Sequence, residues 1–206
     1  MHSLVDRRRT MNPRGGDEMI YIEYLQSTGT QYIDTGLTFN NINDVKMKIN
    51  ATAASTTVSG RWSVFGANRS GNEILLWWKG TNAHYINGTK VTKTAISYNT
   101  DYTIDFNLTN GAGSLTIDGT LIGSSTKSSP NWKCFLFAGS DTANVANYLG
   151  KMKIYYCQIY NSSNALVRDY VPVRIGTVGY LYDRQNDVLY GNQGSGSFVL
   201  GNDITT

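Results

Sequence analysis

Two stretches of this chain alternate apolar and polar residues with a period of two, and no stretch sustains helical spacing. In Asp44–Asn50, Val45, Met47 and Ile49 fall on one side, with Asp44, Lys46, Lys48 and Asn50 on the other. In Tyr102–Leu108, Tyr102, Ile104, Phe106 and Leu108 alternate with Thr103, Asp105 and Asn107. Successive side chains of an extended strand point to opposite faces, so such stretches have one face in a core and one in water. The same texture predicts strands at Tyr21–Leu25, Tyr32–Leu37, Ser63–Gly66, Glu73–Lys79, Ser114–Ile117, Cys134–Ala138 and Lys151–Tyr160. Others follow at Leu166–Val173, Val178–Asp183, Val188–Tyr190 and Phe198–Leu200. Asn87-Gly88 and Asp118-Gly119 accept the positive φ that tight hairpins need. At Asp118-Gly119 a strict two-residue turn would set Thr120 against Ile117, a poor pair, so a bulged turn is an equal expectation. About a dozen strands at this spacing without intervening helices imply a sandwich or a barrel.

A chain of 206 residues fits one such domain and buries enough surface to need no staples. Cys134 and Cys157 both lie in apolar strand patterns, where buried free thiols are the simpler expectation than a disulfide. The net charge is +3, of which residues 1–18 supply +1, and no basic stripe follows, which argues against nucleic acid as a partner. No apolar run approaches the ~18 residues of a membrane helix, so insertion is not expected. Residues 1–18 hold Arg7, Arg8 and Arg9 and an Asn12-Pro13-Arg14-Gly15-Gly16 stretch, and read as a flexible basic arm ahead of a domain over 19–206. The arm has no apolar segment of the secretory kind behind its arginines.

The stretch from Tyr21 to Gly36, YIEYLQSTGTQYIDTG, is similar to the opening of a laminin-G-like jelly-roll family with members among bacteriophage structural proteins and proteins of gut bacteria. The resemblance continues through Val64–Ala67, Leu115–Gly119, Gly150–Tyr156, Leu166–Val173, Gly179–Asp183 and Leu189–Asn192. The leader Leu4–Met11 resembles the short basic leader of phage-encoded members. This resemblance implies an all-β, two-sheet antiparallel jelly roll of the concanavalin A type, used to bind carbohydrate or to decorate a surface. It does not imply an activity, since the superfamily hosts lectins, glycanases and adhesion modules.

A glycanase needs two carboxylates converging on a glycosidic bond. The Glu-x-Asp-x-(x)-Glu pattern of that branch is absent. The nearest acidic pairs along the chain, Asp101/Asp105 and Asp183/Asp187, read as solvated strand face and turn chemistry. His2 lies in the arm and His84 beside a hairpin turn, and no Cys/His set has zinc spacing. Asp141, in the Gly139–Asn144 loop, is the one candidate for a rim calcium ion of the kind related domains hold; supporting its own turn is the simpler reading. A non-enzymatic protein without a cofactor is therefore expected.

The aromatics carry the binding expectation. Trp77 and Trp78 are adjacent in a strand and must face opposite ways. Ile74 and Leu76 share parity with Trp78, which belongs in the core; Glu73 and Lys79 share parity with Trp77, which belongs outside. Parity likewise sends Tyr155 out and Tyr156 in. An outward Trp77 can meet a sugar ring, bury in a subunit contact such as a homo-oligomer, or lie under a loop. Trp62, Arg69, Trp77 and Tyr85 are the candidate carbohydrate-binding residues. The partners expected are a glycan or cell-surface polysaccharide and virion structural proteins, with Arg7, Arg8 and Arg9 docking the arm on the latter. The corresponding place is a virion surface, or the outside of a bacterial cell.

Overall fold

The two alternating stretches become neighbours. Strands Asp44–Ala51 and Asp101–Asn107 pair antiparallel, with Val45 opposite Phe106 and Met47 opposite Ile104 on the buried side. The structure is a computed structural model that describes residues 18–53, 60–67, 74–87, 90–108, 113–125, 131–141 and 144–205. Arg7, Arg8 and Arg9, the rest of the arm before Glu18, Arg69 and Gly88 lie outside the described residues.

The larger sheet runs Thr120–Ser125, Gly113–Ile117, Asp101–Asn107, Asp44–Ala51, Lys151–Tyr160, Leu166–Ile175, Val178–Asp183, Val188–Tyr190. Met19–Tyr21 pairs with Leu166–Ile175, and Leu25–Thr28 lies between Lys151–Tyr160 and Val199–Leu200. The smaller sheet runs Ala146–Asn147, Gly139–Ser140, Trp62–Ala67, Ile74–Lys79, Asn82–Asn87, Lys90–Ala95, and Lys133–Leu136 joins it to Ile33–Thr38. A single 3-10 turn, Phe39–Asn41, interrupts the β-structure among the described residues. This is the two-sheet jelly-roll sandwich expected from the sequence. Among the described residues no helix is long and apolar enough to cross a membrane.

The inner faces meet over an aromatic centre. Phe106 of the large sheet sits edge-to-face with Phe65, at 4.9 Å between centroids, and with Tyr85, at 5.0 Å, both on the small sheet. Phe39 stacks on Phe65 from the side. Cys134 and Cys157 are free and buried, and burial pushes the Cys134 thiol up to about 12. Neither is a nucleophile near neutral pH.

Two local details depart from simple alternation. Parity carried along Lys151–Tyr160 places Tyr156 in the core, but the strand bulges against Asp44–Ala51 between Ile154 and Tyr156. Met152 and Ile154 point inward before the bulge and Cys157 and Ile159 after it, so Tyr156 is only half-buried and falls opposite Lys48. A bulge adds a residue to one strand and flips the parity beyond it. At Asp118-Gly119 the turn is a strict two-residue one, with φ of 47° and 75°, and Thr120 does sit opposite Ile117. The bulge comes further along that hairpin, where Thr116 faces Leu121 but Leu115 faces Gly123.

The outer face of the large sheet is a lattice of paired charges. Lys48 meets Asp101 at 2.8 Å, Lys46 meets Asp105 at 3.3 Å, and Arg184 meets Asp169 at 2.7 Å. Asp101 also accepts hydrogen bonds from Asn50 Nδ2 and the Tyr155 hydroxyl, both at 2.8 Å. Burial alone would raise Asp101, but the hydrogen bonds from Lys48, Asn50 and Tyr155 outweigh it and hold the carboxyl at about 2. Asp183, expected at a turn, is fully buried and does form one: it accepts the amides of Asp169 and Gln185 and the Asn186 side chain.

Candidate functional site

A turn at Gly80-Thr81 organises the face that carries the candidate site. Gly80 takes a φ of 57°, and the hairpin closes with Lys79 opposite Asn82. That register puts Trp77 opposite His84 and Leu76 opposite Tyr85. The first pair points outward and the second inward. On the outer face one row then runs Ser63, Trp77, His84, Lys93 across four strands.

Trp77 is on the side its parity predicts, yet it is only 6% exposed. His84 stacks on the indole with ring centroids 4.1 Å apart and planes 6° apart. The Arg61 guanidinium carbon lies 4.9 Å from the same ring and 5.7 Å from that of Tyr148. Cross-strand neighbours are close enough for flat side chains to stack, so an outward tryptophan opposite a histidine is covered by it. Trp77 therefore supports other groups and does not itself offer an open platform.

Tyr85 is a clearer correction. It is fully buried against Phe106, because it shares parity with Ala83 and pairs with Leu76, and adjacency to a turn did not bring it outside. Trp62 is half-buried at the rim of the inner side, opposite and edge-on to Trp78, with Lys151 Nζ 5.0 Å from its ring. Trp62 and Trp77 thus lie on opposite sides of their sheet and do not form one site. Asp141 supports its own turn: its amide donates to the Val145 carbonyl, its carboxylate accepts the Val145 amide, and its carbonyl accepts the Asn144 amide. Among the described residues no group of three His, Cys, Asp or Glu could hold a metal.

The residues brought together around Trp77 are Arg61, His84, Lys79, Lys93 and Tyr148. Tyr148 is delivered by the strand-like segment beside Trp62–Ala67, where the Ser63 amide donates to the Tyr148 carbonyl at 2.7 Å. Burial lowers the His84 imidazole below its ordinary range, and the charges of Lys93, Lys79 and Arg61 lower it further. His84 is therefore neutral near pH 7, with one ring nitrogen donating and one accepting. The signal that would have found this set is the Lys79-Gly80-Thr81-Asn82 turn, since its register alone places His84 on Trp77.

A second missed constellation lies on the large sheet. Asp44 and Asp105 approach across two strands, and Lys46 Nζ reaches both, at 3.6 and 3.3 Å. Burial pushes the Asp44 carboxyl up to about 7, and its hydrogen bond to Asp105 and that neighbour's charge add to the shift. Acidic pairs two or four apart along one strand could not reveal a pair formed between strands.

No protein-family model matches the sequence, and no curated protein matches it. Solved structures do. A candidate carbohydrate-binding protein from Bacteroides ovatus superposes with a TM-score of 0.59 at 10% identity, over 90% of this chain and 62% of that one. This chain thus spans less than two thirds of that protein's length. A galectin of Caenorhabditis elegans gives 0.43 at 11% identity, covering 69% and 96% of the two chains. The Crh5 transglycosylase in complex with NAG gives 0.46 at 13% identity, covering 86% and 82%. Identities this low speak to fold and leave the chemistry open, because this sandwich hosts binding proteins and enzymes alike. What the chain shares with the Bacteroides ovatus protein is its two-sheet jelly-roll fold.

Proposed function

We propose that the chain is a non-enzymatic carbohydrate-binding module that acts through the outer face of the small sheet. The observation that carries this reading is the Arg61–Trp77–His84 stack. Sugar hydroxyls need donors and acceptors at fixed positions, and a guanidinium set over an indole and an imidazole stacked on it lose little freedom when they engage. Asn82, two residues from His84 on the same side, adds an amide to the set. The likeness in fold to the Bacteroides ovatus protein is in keeping with this reading.

The wider setting we infer is a bacteriophage virion surface, with a bacterial cell surface as the alternative. The resemblance of Tyr21–Gly36 supports it, as does the arginine-rich leader, whose Arg7, Arg8 and Arg9 would dock on virion structural proteins. The module would then attach the particle to a cell-surface polysaccharide.

A glycan array probed with the wild type, Arg61→Ala and His84→Ala tests the function. Binding by the wild type, weakened about tenfold or more in each variant, is the expected result; tenfold corresponds to about 1.4 kcal/mol, the scale of one good hydrogen bond. No binding to any glycan, together with self-assembly of the purified chain, would replace this reading with an assembly subunit. Release of reducing ends from a bound polysaccharide, lost in Asp44→Asn, would replace it with a hydrolase.

A further inference from the structure

The charges on the two outer faces are arranged differently. On the large sheet and at its ends, Lys46, Lys48, Arg168, Arg174 and Arg184 each lie within 4 Å of an aspartate, as Lys133 does beside the small sheet, while Lys151 and Lys153 instead lie over the separate rings of Trp62 and Tyr24. Arg61, Lys79 and Lys93 have no such partner among the described residues. They are not scattered. Lys93 is in register with His84, Lys79 lies two residues from Trp77 on the same side, and Arg61 lies over the Trp77 ring. Three like charges gathered on one patch of a sheet repel each other, and no described carboxylate offsets them.

Resting on the glycan-binding reading, we propose that this face takes an anionic saccharide, with a carboxylate or sulfate group seated on Arg61, Lys79 and Lys93. Arg61 presents N–H groups in a planar fork suited to either anion, and its cation–π contacts with Trp77 and Tyr148 hold the fork in place. Lys79 and Lys93 supply point charges from two neighbouring strands. Neutral His84, at the centre of the three, can accept from or donate to a ring hydroxyl beside the charged group. Three cations over one patch are too few to track a nucleic-acid backbone, which presents a charge every few ångströms.

The depressed imidazole supplies a readout that is independent of affinity. Burial holds His84 below its ordinary value and the three cations hold it lower still, so an anion placed among them offsets their part and raises it, whereas a neutral sugar leaves their field in place. The experiment uses an array of neutral, carboxylated and sulfated glycans on matched backbones, probed with the wild type and with Lys79→Glu/Lys93→Glu. An NMR titration of His84 follows, with and without the strongest binder. The expected result is binding to carboxylated or sulfated members, about tenfold weaker on raising salt from about 50 to about 300 mM, lost in the double variant, with an upward shift of His84. Which of the two modifications retains binding names the anion. Binding confined to neutral glycans, or charged-glycan binding untouched by the double variant, overturns this inference and leaves the proposed function standing. Failure to bind any glycan overturns both. Variants are first checked for wild-type thermal unfolding.

Discussion

Phe106→Ala lowers the unfolding free energy by about 3–5 kcal/mol, the largest single effect expected in the molecule. Phe106 is fully buried and touches Phe65 and Tyr85 edge-to-face, so it ties the large sheet to the small one at their centre. Removal takes away the transfer energy of the ring and two aromatic contacts of about 0.5–1.5 kcal/mol each, and leaves a cavity between sheets that cannot collapse. Denaturant unfolding of the two proteins checks it. A loss below about 1 kcal/mol would mean that the two sheets are not packed on this centre.

Asp44→Asn, by contrast, stabilises the protein, and only above mildly acidic pH. Folding raises the Asp44 carboxyl from 3.8 to about 7, mainly through burial and then through Asp105. Between those two values the folded chain holds a proton that the unfolded chain has released. Stability contributed by this group is therefore complete below about pH 4 and falls away as pH rises through about 7. Each pH unit of displacement corresponds to about 1.4 kcal/mol; with the site near the sheet rim and Lys46 in reach, a gain on the order of 2 kcal/mol at pH 8 is expected for the asparagine. At pH 4 the two proteins should unfold alike. Thermal unfolding across pH 4–8 decides it: an unchanged slope in the variant would remove Asp44 as the titrating group. Asp101, on the neighbouring strand at the far end of the same face, works in the opposite sense, since its depressed value contributes stability above about pH 4 that is lost as pH falls toward 2.

Much of the fold was legible because one face of each strand is buried. Val45, Met47 and Ile49, and Ile104 and Phe106, announce their sheet by period alone, and the strand ends at Lys151–Tyr160, Val178–Asp183 and Val188–Tyr190 follow from the flanking turn residues. Parity likewise put Trp78 in the core and Trp77 on the other side. What parity does not contain is register. Which residue faces Trp77 depends on a turn of two residues, and a shift by one would have exchanged His84 for Tyr85. The same gap hid Asp44 and Asp105, which lie 61 positions apart and meet only through the pairing of two strands. Tyr156 was misplaced for a related reason, because a bulge changes parity without leaving a distinctive residue behind. Trp62 and Tyr85 were chosen for what they are; where they point was decided by their cross-strand partners.

The central claim is that ligand is met on the outer face of the small sheet, and NMR locates that face directly. The chain has 4 tryptophans, so the indole N–H signals are few and separable. Titrating the labelled protein with the glycan selected on the array should shift the Trp77 indole and the His84 ring, which share one stack, while the core indole of Trp78 stays in place. Shifts confined to the Tyr24, Tyr155 and Lys48 side of the large sheet, with Trp77 and His84 unmoved, would contradict it.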